Sequence, residues 1–122
     1  MKSKKDIKRE FKERKKQAGV FQLRNVVNNK VLLGSSLNLE GLWNSNSFQL
    51  RIGTHRNKEL QKDWDKYGSD KFVFELLEVI EDKNDPNFNI DDELTLIEQI
   101  WLEKIQPYGD NGYNENDKIR KT

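Results

Sequence analysis

Hydrophobic residues recur along the chain with two different periods, and these periods predict seven elements. Segments in which β-branched and aromatic residues lie between turn residues predict strands, at 20–26, 30–34 and 72–77. Segments in which apolar residues return every three or four positions predict helices, at 4–17, 38–52, 57–67 and 91–105. The polar segments 81–92 and 108–122 are expected to form a loop and a tail. This order predicts an α+β fold, a small sheet flanked by helices.

Turn and cap residues set the predicted boundaries of these elements. Asn28 and Asn29 tolerate positive φ, so they predict a tight turn and a β-hairpin between the first two strands. Glycine stops helices readily, and one is expected to end each of the first three helices, at Gly19, Gly53 and Gly68.

The composition favours a single globular domain and excludes several classes of site. Only 34% of the 122 residues are hydrophobic, but 3 Trp, 6 Phe and 3 Tyr can bury a large apolar area. The absence of cysteine excludes disulfides, thiol nucleophiles and Cys-type zinc sites. No apolar run approaches the roughly 20 residues of a membrane-spanning helix, and no signal peptide begins the chain. A soluble cytoplasmic protein without a membrane partner is therefore expected.

The net charge of +1 conceals a strongly basic N-terminal segment. Residues 1–16 hold nine basic and three acidic side chains, a net charge of +6, which leaves −5 for the rest of the chain. Clustered cations supply salt-sensitive contacts to phosphates, and the candidate contacts are Lys4, Lys5, Lys8 and Lys12. A solvated helix that only maintains solubility and a helix that docks on an acidic protein are the alternatives.

Three short motifs stand in a fixed order along the chain. Segment 19–21 reads Gly-Val-Phe, segment 32–34 reads Leu-Leu-Gly, and segment 112–114 reads Gly-Tyr-Asn. Between them lie further matching residues, among them Asn38, Leu39, His55, Asn57, Trp64, Phe74 and Glu98. The ordered set resembles the GIY-YIG nuclease superfamily, in particular its phage and intron-type branch. That family has Gly-Ile-Tyr and Tyr-Ile-Gly at the first two segments.

The resemblance implies both a fold and a chemistry. It implies a three-stranded antiparallel sheet with helices on its sides over residues 19–114, preceded by the basic helix 1–18 and followed by the polar tail 115–122. It also implies phosphodiester hydrolysis with one divalent metal, Mg²⁺ or Mn²⁺, held mainly by a single glutamate, which here would be Glu98. Such chemistry needs a proton acceptor, donors that stabilise the phosphate in the transition state, and a cation near the leaving oxygen.

Most of the family's catalytic side chains are replaced in this sequence. Active members carry a Tyr in each strand segment, an Arg on the following helix and a further Tyr or His four residues later. These vestigial positions hold Phe21, Leu32, Leu42 and Asn46. Asn114, in the segment 112–114, is the fifth vestigial position, and it and Glu98 keep the identities of the family. No intact catalytic set is therefore predicted, because losing a proton acceptor or a charge-stabilising donor typically costs about 10²- to 10⁴-fold in rate.

Four of these residues, Glu98, His55, Phe21 and Leu32, can be interpreted either as part of a functional site or as ordinary structural residues. Glu98 lies on the apolar face of the last predicted helix, where it is either a metal ligand or a solvated carboxylate at the rim. His55 either contacts phosphate or acts as a base, or else it caps and packs the loop between two helices, and this last role is favoured. Phe21 and Leu32 either line a remnant pocket or belong to the core, and again the second is favoured.

The sequence therefore predicts a GIY-YIG-like module that associates with nucleic acid and cleaves it weakly or not at all. Besides the N-terminal lysines, the candidate phosphate contacts are Arg51, His55, Arg56 and Lys58. One alternative is a metal-dependent endonuclease with a rearranged site, in which Arg51 or Arg56 replaces the missing cation. The other is a protein-interaction domain on the same scaffold.

Overall fold

The computed structural model describes residues 16–81, 83 and 85–115, which form a three-stranded sheet and three helices. The strands are β1 (Ala18–Asn25), β2 (Val31–Ser36) and β3 (Phe72–Ile80). The helices are α1 (Leu39–Ile52), α2 (Lys58–Tyr67) and α3 (Ile90–Ile105). Short 3₁₀ turns, Ser69–Lys71 and Gly109–Asn111, precede β3 and follow α3. None of the described helices is long and apolar enough to cross a membrane.

The sheet is antiparallel, with strand order β2-β1-β3. β1 and β2 form the predicted hairpin, whose turn holds Asn29 at a φ of 64°. β1 and β3 shift register between Val20 and Phe21, which is a β-bulge. Gly19 lies beside this bulge, where a Cβ would stand 2.1 Å from the Glu78 carbonyl oxygen, so the close approach of the two strands requires glycine.

The sheet separates two hydrophobic cores. One face packs on α1 and α2 through a cluster of buried residues, which are Leu23, Leu50, Leu60, Trp64, Phe72 and Tyr113. The opposite face packs on α3 through a second cluster, Val20, Leu33, Leu94 and Leu102. The described chain is thus an α+β fold with helices on both sides of a three-stranded antiparallel sheet, as the sequence predicted.

Side-chain caps fix the helix ends close to the predicted positions. Asn38 and Asn57 cap α1 and α2 by accepting hydrogen bonds from the backbone N–H groups of Gly41 and Leu60. Gly53 ends α1 in the left-handed conformation, with a φ of 79°. Gly68, with a φ of 96°, ends α2.

Several predicted boundaries were wrong. The first predicted helix, 4–17, falls largely outside the described residues, but Lys16 and Gln17 are not helical. The Gln17 carbonyl instead accepts a hydrogen bond from the Leu39 N–H at 2.9 Å, and the chain leads directly into β1, so Gly19 lies in a strand and ends no helix. Two elements are longer than predicted. β3 continues to Ile80 because it pairs with β1, and α3 begins at Ile90, directly after its cap.

The tail start at residue 108, predicted from the polar pattern, was also wrong, because the segment directly after α3 packs on the sheet. Tyr113 is 3% exposed and belongs to the core on the α1 and α2 side. Its N–H donates to the Val31 carbonyl at 2.9 Å, so this segment, residues 107–115, lies along the outer edge of β2. We call residues 107–115 the closing segment. Its composition alone predicts a tail, because polar residues and two glycines outnumber the two tyrosines, whereas the resemblance already placed residues 112–114 in the domain.

Candidate functional site

A cleft of about 510 Å³ follows the outer edge of β2. Its walls come from β1, β2, α1, α3, the loop between α1 and α2, and the closing segment. The lining residues include all five vestigial positions, Phe21, Leu32, Leu42, Asn46 and Asn114, together with Gly34, Ser35, His55, Arg56, Glu98, Tyr108 and Glu115. The fold therefore brings distant segments of the predicted site to one place.

The floor of the cleft is apolar where the strands and α1 meet. Phe21 is 6% exposed, and its ring stacks on Phe74 with centroids 5.3 Å apart. Phe74 in turn stacks on Trp43 at 4.9 Å. Leu32 is half-buried against the same core. Phe21 and Leu32 thus line the cleft and belong to the core at once, so the two interpretations of these residues are not exclusive.

Glu98 places a carboxylate in the cleft from the middle of α3. It is half-buried, and its Oε1 accepts a hydrogen bond from the Ser35 hydroxyl on β2. This bond fixes the side chain across the gap between helix and sheet. Glu115 lines the cleft as well, from the closing segment. Within the described residues, no group of three or more His, Cys, Asp or Glu could hold a metal ion.

His55 is buried, with both ring nitrogens engaged. It is 2% exposed, its Nδ1 accepts a hydrogen bond from the Asn57 N–H at 3.0 Å, and its Nε2 lies 2.6 Å from the Asn46 Oδ1. Because Nδ1 accepts, Nε2 must carry the proton and donate to Asn46. Burial and the positive charge of Arg56 lower the pKa of His55. The imidazole is therefore a neutral donor that fixes Asn46, a loop-packing role within the wall of the cleft.

Asn114 is held against the edge of β2 by a pair of hydrogen bonds. Its Oδ1 accepts from the Leu33 N–H at 2.8 Å, and its Nδ2 donates to the Leu33 carbonyl at 2.8 Å. The side-chain amide of Asn114 thus pairs with a backbone N–H and a backbone carbonyl at the edge of the sheet, which would otherwise lack a strand partner. Asn114 attaches the closing segment to the sheet, and so it shapes the cleft.

Tyr108 is a phenol in the cleft wall that sequence reasoning did not select. The side chain is half-buried, and its hydroxyl has no hydrogen-bond partner among the described residues. Burial and the negative charge of Glu98 raise the pKa of Tyr108, so its hydroxyl keeps its proton at neutral pH. No sequence signal marked this residue, because it follows Pro107 in a segment that reads as a tail.

The predicted cationic contacts separate into three groups. Arg56 is exposed and lines the cleft. Arg51, in the last turn of α1, and Lys58, at the start of α2, are exposed but do not line it. The four N-terminal candidates, Lys4, Lys5, Lys8 and Lys12, lie outside the described residues. Of the two arginines considered as a replacement cation, only Arg56 is at the cleft.

Comparisons with known proteins relate the chain to one phage enzyme. No protein-family model matches the sequence. Intron-associated endonuclease 1 of Enterobacteria phage T4 is 31% identical over 103 residues, which are 83% of this chain and 38% of that protein. The chain thus spans less than half the length of this curated relative.

Two solved structures share the fold. The catalytic domain of the homing endonuclease I-TevI is 30% identical, with a TM-score of 0.63 over 80% of this chain and 96% of that one. A point mutant of the catalytic domain of intron endonuclease I-TevI is 28% identical, with a TM-score of 0.65 over 80% of this chain and 92% of that one.

Proposed function

Because the chain belongs to the GIY-YIG nuclease superfamily, we propose that it binds nucleic acid at the cleft and cleaves it weakly or not at all. One observation carries this proposal. Phe21, Leu32 and Leu42 line the cleft with carbon atoms where the family supplies two phenols and a guanidinium. Without these groups, the cleft has few donors that could stabilise a phosphate in its transition state.

The charges around the cleft support binding to a phosphate backbone. Arg56 lies at the cleft. Arg51, at the end of α1, and Lys58, at the start of α2, are exposed on either side of the loop that carries Arg56. We propose the basic N-terminal segment, residues 1–16, as an additional contact. Such contacts are electrostatic and read no sequence, so affinity should fall steeply with salt and vary little among DNA sequences.

A metal-dependent endonuclease with a rearranged site is the second candidate, and the geometry of Glu98 favours it. Mg²⁺ and Mn²⁺ take oxygen ligands and keep several waters, so one carboxylate oriented by Ser35 fits such an ion. When bound, the ion would offset the negative charge on the leaving oxygen. In this alternative Arg56 stands in for the missing guanidinium and contacts a non-bridging phosphate oxygen.

The test is a nicking assay on supercoiled plasmid with Mg²⁺ or Mn²⁺, run beside a mobility-shift assay at about 50 mM and about 200 mM salt. The wild type is compared with Glu98→Ala and with Glu103→Ala, which removes an exposed carboxylate of the same helix that does not line the cleft. We expect a salt-sensitive shift from all three proteins and no nicking above the level of Glu98→Ala.

Two results would contradict the proposal. Efficient nicking that Glu98→Ala abolishes and Glu103→Ala preserves would establish the endonuclease, whereas weak nicking remains within the proposal. The absence of any shift at low salt would favour the third possibility, a protein-interaction domain on this scaffold.

A further inference from the structure

The charged side chains of α2 are sorted onto different sides of the helix. Lys58, Lys62 and Lys66 recur at every fourth position, so they follow one another along one side, and all three are exposed. Leu60 and Trp64, which α2 buries in the core, lie on the opposite side. The helix therefore presents three cations in line to solvent, and we call them the lysine row.

The three carboxylates of the same helix are held by groups outside the lysine row. Glu59 forms an ion pair with Lys30 at 2.6 Å. The Asp63 Oδ2 accepts a hydrogen bond from the Tyr113 hydroxyl at 2.7 Å. The third carboxylate, at position 65, accepts a hydrogen bond at 3.0 Å from a glutamine amide one turn earlier. Among the described residues, no carboxylate forms an ion pair with the lysine row, so its charge is available to a partner.

The lysine row begins at the edge of the cleft. Arg56 and Asn57 line the cleft, and Asn57 caps α2, so Lys58 follows directly. At about 1.5 Å per residue, the row extends about 12 Å along the helix from Lys58 to Lys66. One strand of a DNA duplex carries a phosphate about every 3.4 Å along its axis, so three or four phosphates fit this length. A duplex that reaches Arg56 can therefore also contact the row.

The side of α2 that carries the row offers cations but no platform for a base. Trp64 is buried in the core, and Tyr67 is half-buried, with the Lys66 ammonium 5.1 Å from its ring centroid. Proteins that hold single strands combine cations with aromatic rings on which bases stack. Cations in line without such rings suit the backbone of a duplex, whose bases are already stacked.

We propose that the lysine row is a docking surface for duplex DNA, which contacts the phosphates of one strand and directs the duplex into the cleft. The inference rests on the proposed function and extends its binding surface from the cleft to Lys62 and Lys66. Because residues 17–122 carry a net charge of −5, a row of cations on this part of the chain also orients the approaching duplex.

The experiment measures the affinity of the full chain for a labelled duplex DNA of mixed sequence by fluorescence anisotropy, at about 50 mM and about 200 mM salt. The variant is Lys62→Gln combined with Lys66→Gln, because glutamine removes the charge and has nearly the helix propensity of lysine. Losing two phosphate contacts should weaken binding at the lower salt by about ten- to a hundredfold. Between the two salt concentrations, the wild type should lose roughly tenfold more affinity than the variant.

Three controls test the cause of that loss. Lys83→Gln with Lys104→Gln removes the same charge from two exposed residues that lie outside α2 and, like Lys66, stand over an aromatic ring. This double variant should bind as the wild type does. Lys62→Arg with Lys66→Arg should retain both affinity and salt dependence, because the contact depends on charge. Urea unfolding should give the same midpoint for all these variants and the wild type, because the substituted side chains are exposed.

Four outcomes would overturn the inference. If the Gln variant of Lys62 and Lys66 binds like a wild type whose binding is salt-sensitive, the row is only a solvated face and the proposed function stands. If the double variant of Lys83 and Lys104 weakens binding equally, total charge and not the row is responsible. If a single strand of the same sequence binds more tightly than the duplex, the row does not select a duplex. If the wild type does not bind DNA at the lower salt, the proposed function and this inference fail together.

Discussion

At the scale of single residues, an ordered set of sequence matches located most of the cleft. Phe21, Leu32, Leu42 and Glu98 were selected from their positions in the sequence, and all four line it. Tyr108 could not be selected in this way, because it lies outside the matched segments and next to no apolar run. The hydrogen bond between His55 and Asn46 was equally hidden, since it depends on how the loop after α1 folds back on that helix.

Restoring the lost side chains tests whether the cleft still has the shape of a nuclease site. A triple variant with Phe21→Tyr, Leu32→Tyr and Leu42→Arg returns two phenols and one guanidinium to residues that line the cleft. Each type of group typically contributes about 10²- to 10⁴-fold to such reactions, although the contributions are not additive. We therefore expect plasmid nicking to rise at least about tenfold over the wild type in Mg²⁺ or Mn²⁺.

The control for this variant is the same triple substitution combined with Glu98→Ala, which should return nicking to background. Equal nicking with and without Glu98 would point to a contaminating nuclease. A well-folded triple variant that does not nick would show that the three positions no longer face a common phosphate.

At the scale of elements, local capping residues predicted the helix ends well. Boundaries that depend on pairing between distant segments could not be predicted from local sequence. Asn38 and Gly53 bound α1 as expected, because capping is decided within one turn of the chain. The extension of β3 to Ile80 depends instead on β1, a strand more than fifty residues away. The closing segment was misjudged for the same reason, since Asn114 is ordered by the backbone of Leu33 rather than by its neighbours.

Asn57 connects the start of α2 to the closing segment, so its loss should cost more than the loss of an ordinary cap. Its Oδ1 accepts from the Leu60 N–H at 3.0 Å, and its Nδ2 donates to the Tyr113 carbonyl at 2.8 Å. Asn57→Ala should lower the free energy of unfolding by about 2–3 kcal/mol, the sum of a cap and a further hydrogen bond. Asn89→Ala removes only the exposed cap of α3 and should cost about 1 kcal/mol.

Urea unfolding monitored by tryptophan fluorescence measures both variants. Asn57→Asp refines the comparison, because it keeps the capping oxygen and loses only the donor to the Tyr113 carbonyl. Asn57→Asp should lower the free energy of unfolding, but by less than Asn57→Ala does. Equal costs for Asn57→Ala and Asn89→Ala would show that the contact with the closing segment contributes nothing.

At the scale of the whole molecule, the cleft exists because two cores meet at one edge of the sheet. α1 and α2 pack on one face and α3 on the other, so Glu98 and His55 reach the same space from opposite sides of β2. The pattern of apolar residues predicted helices beside a sheet, but not which helix takes which face. That choice follows from the alternation of Leu32 and Leu33, which point to different cores.

The buried imidazole at this junction predicts how the stability of the whole domain responds to pH. Burial and Arg56 lower the pKa of His55 in the folded protein, whereas the unfolded chain keeps the ordinary value near 6.5. Near that value the unfolded state takes up the proton first, so stability is complete well above about pH 6.5 and falls as the pH decreases through it. The free energy of unfolding, measured by urea titration, should therefore decline between about pH 7.5 and about pH 5.5.

His55 is the only histidine in the chain, so one substitution can assign this response. His55→Gln removes the titrating group, and we expect its free energy of unfolding to be nearly flat over the same interval. Glu75 gives a loss of the same sign in a lower window, because its hydrogen bond from Arg24 lowers the pKa of this carboxyl from an ordinary value of 4.5. A wild type whose stability is constant down to about pH 5.5, or which declines in parallel with His55→Gln, would mean that the imidazole accepts its proton without disturbing the fold. Because His55 holds Asn46 and Asn57 in the cleft wall, nucleic-acid binding should weaken over the same interval if that wall loosens on protonation.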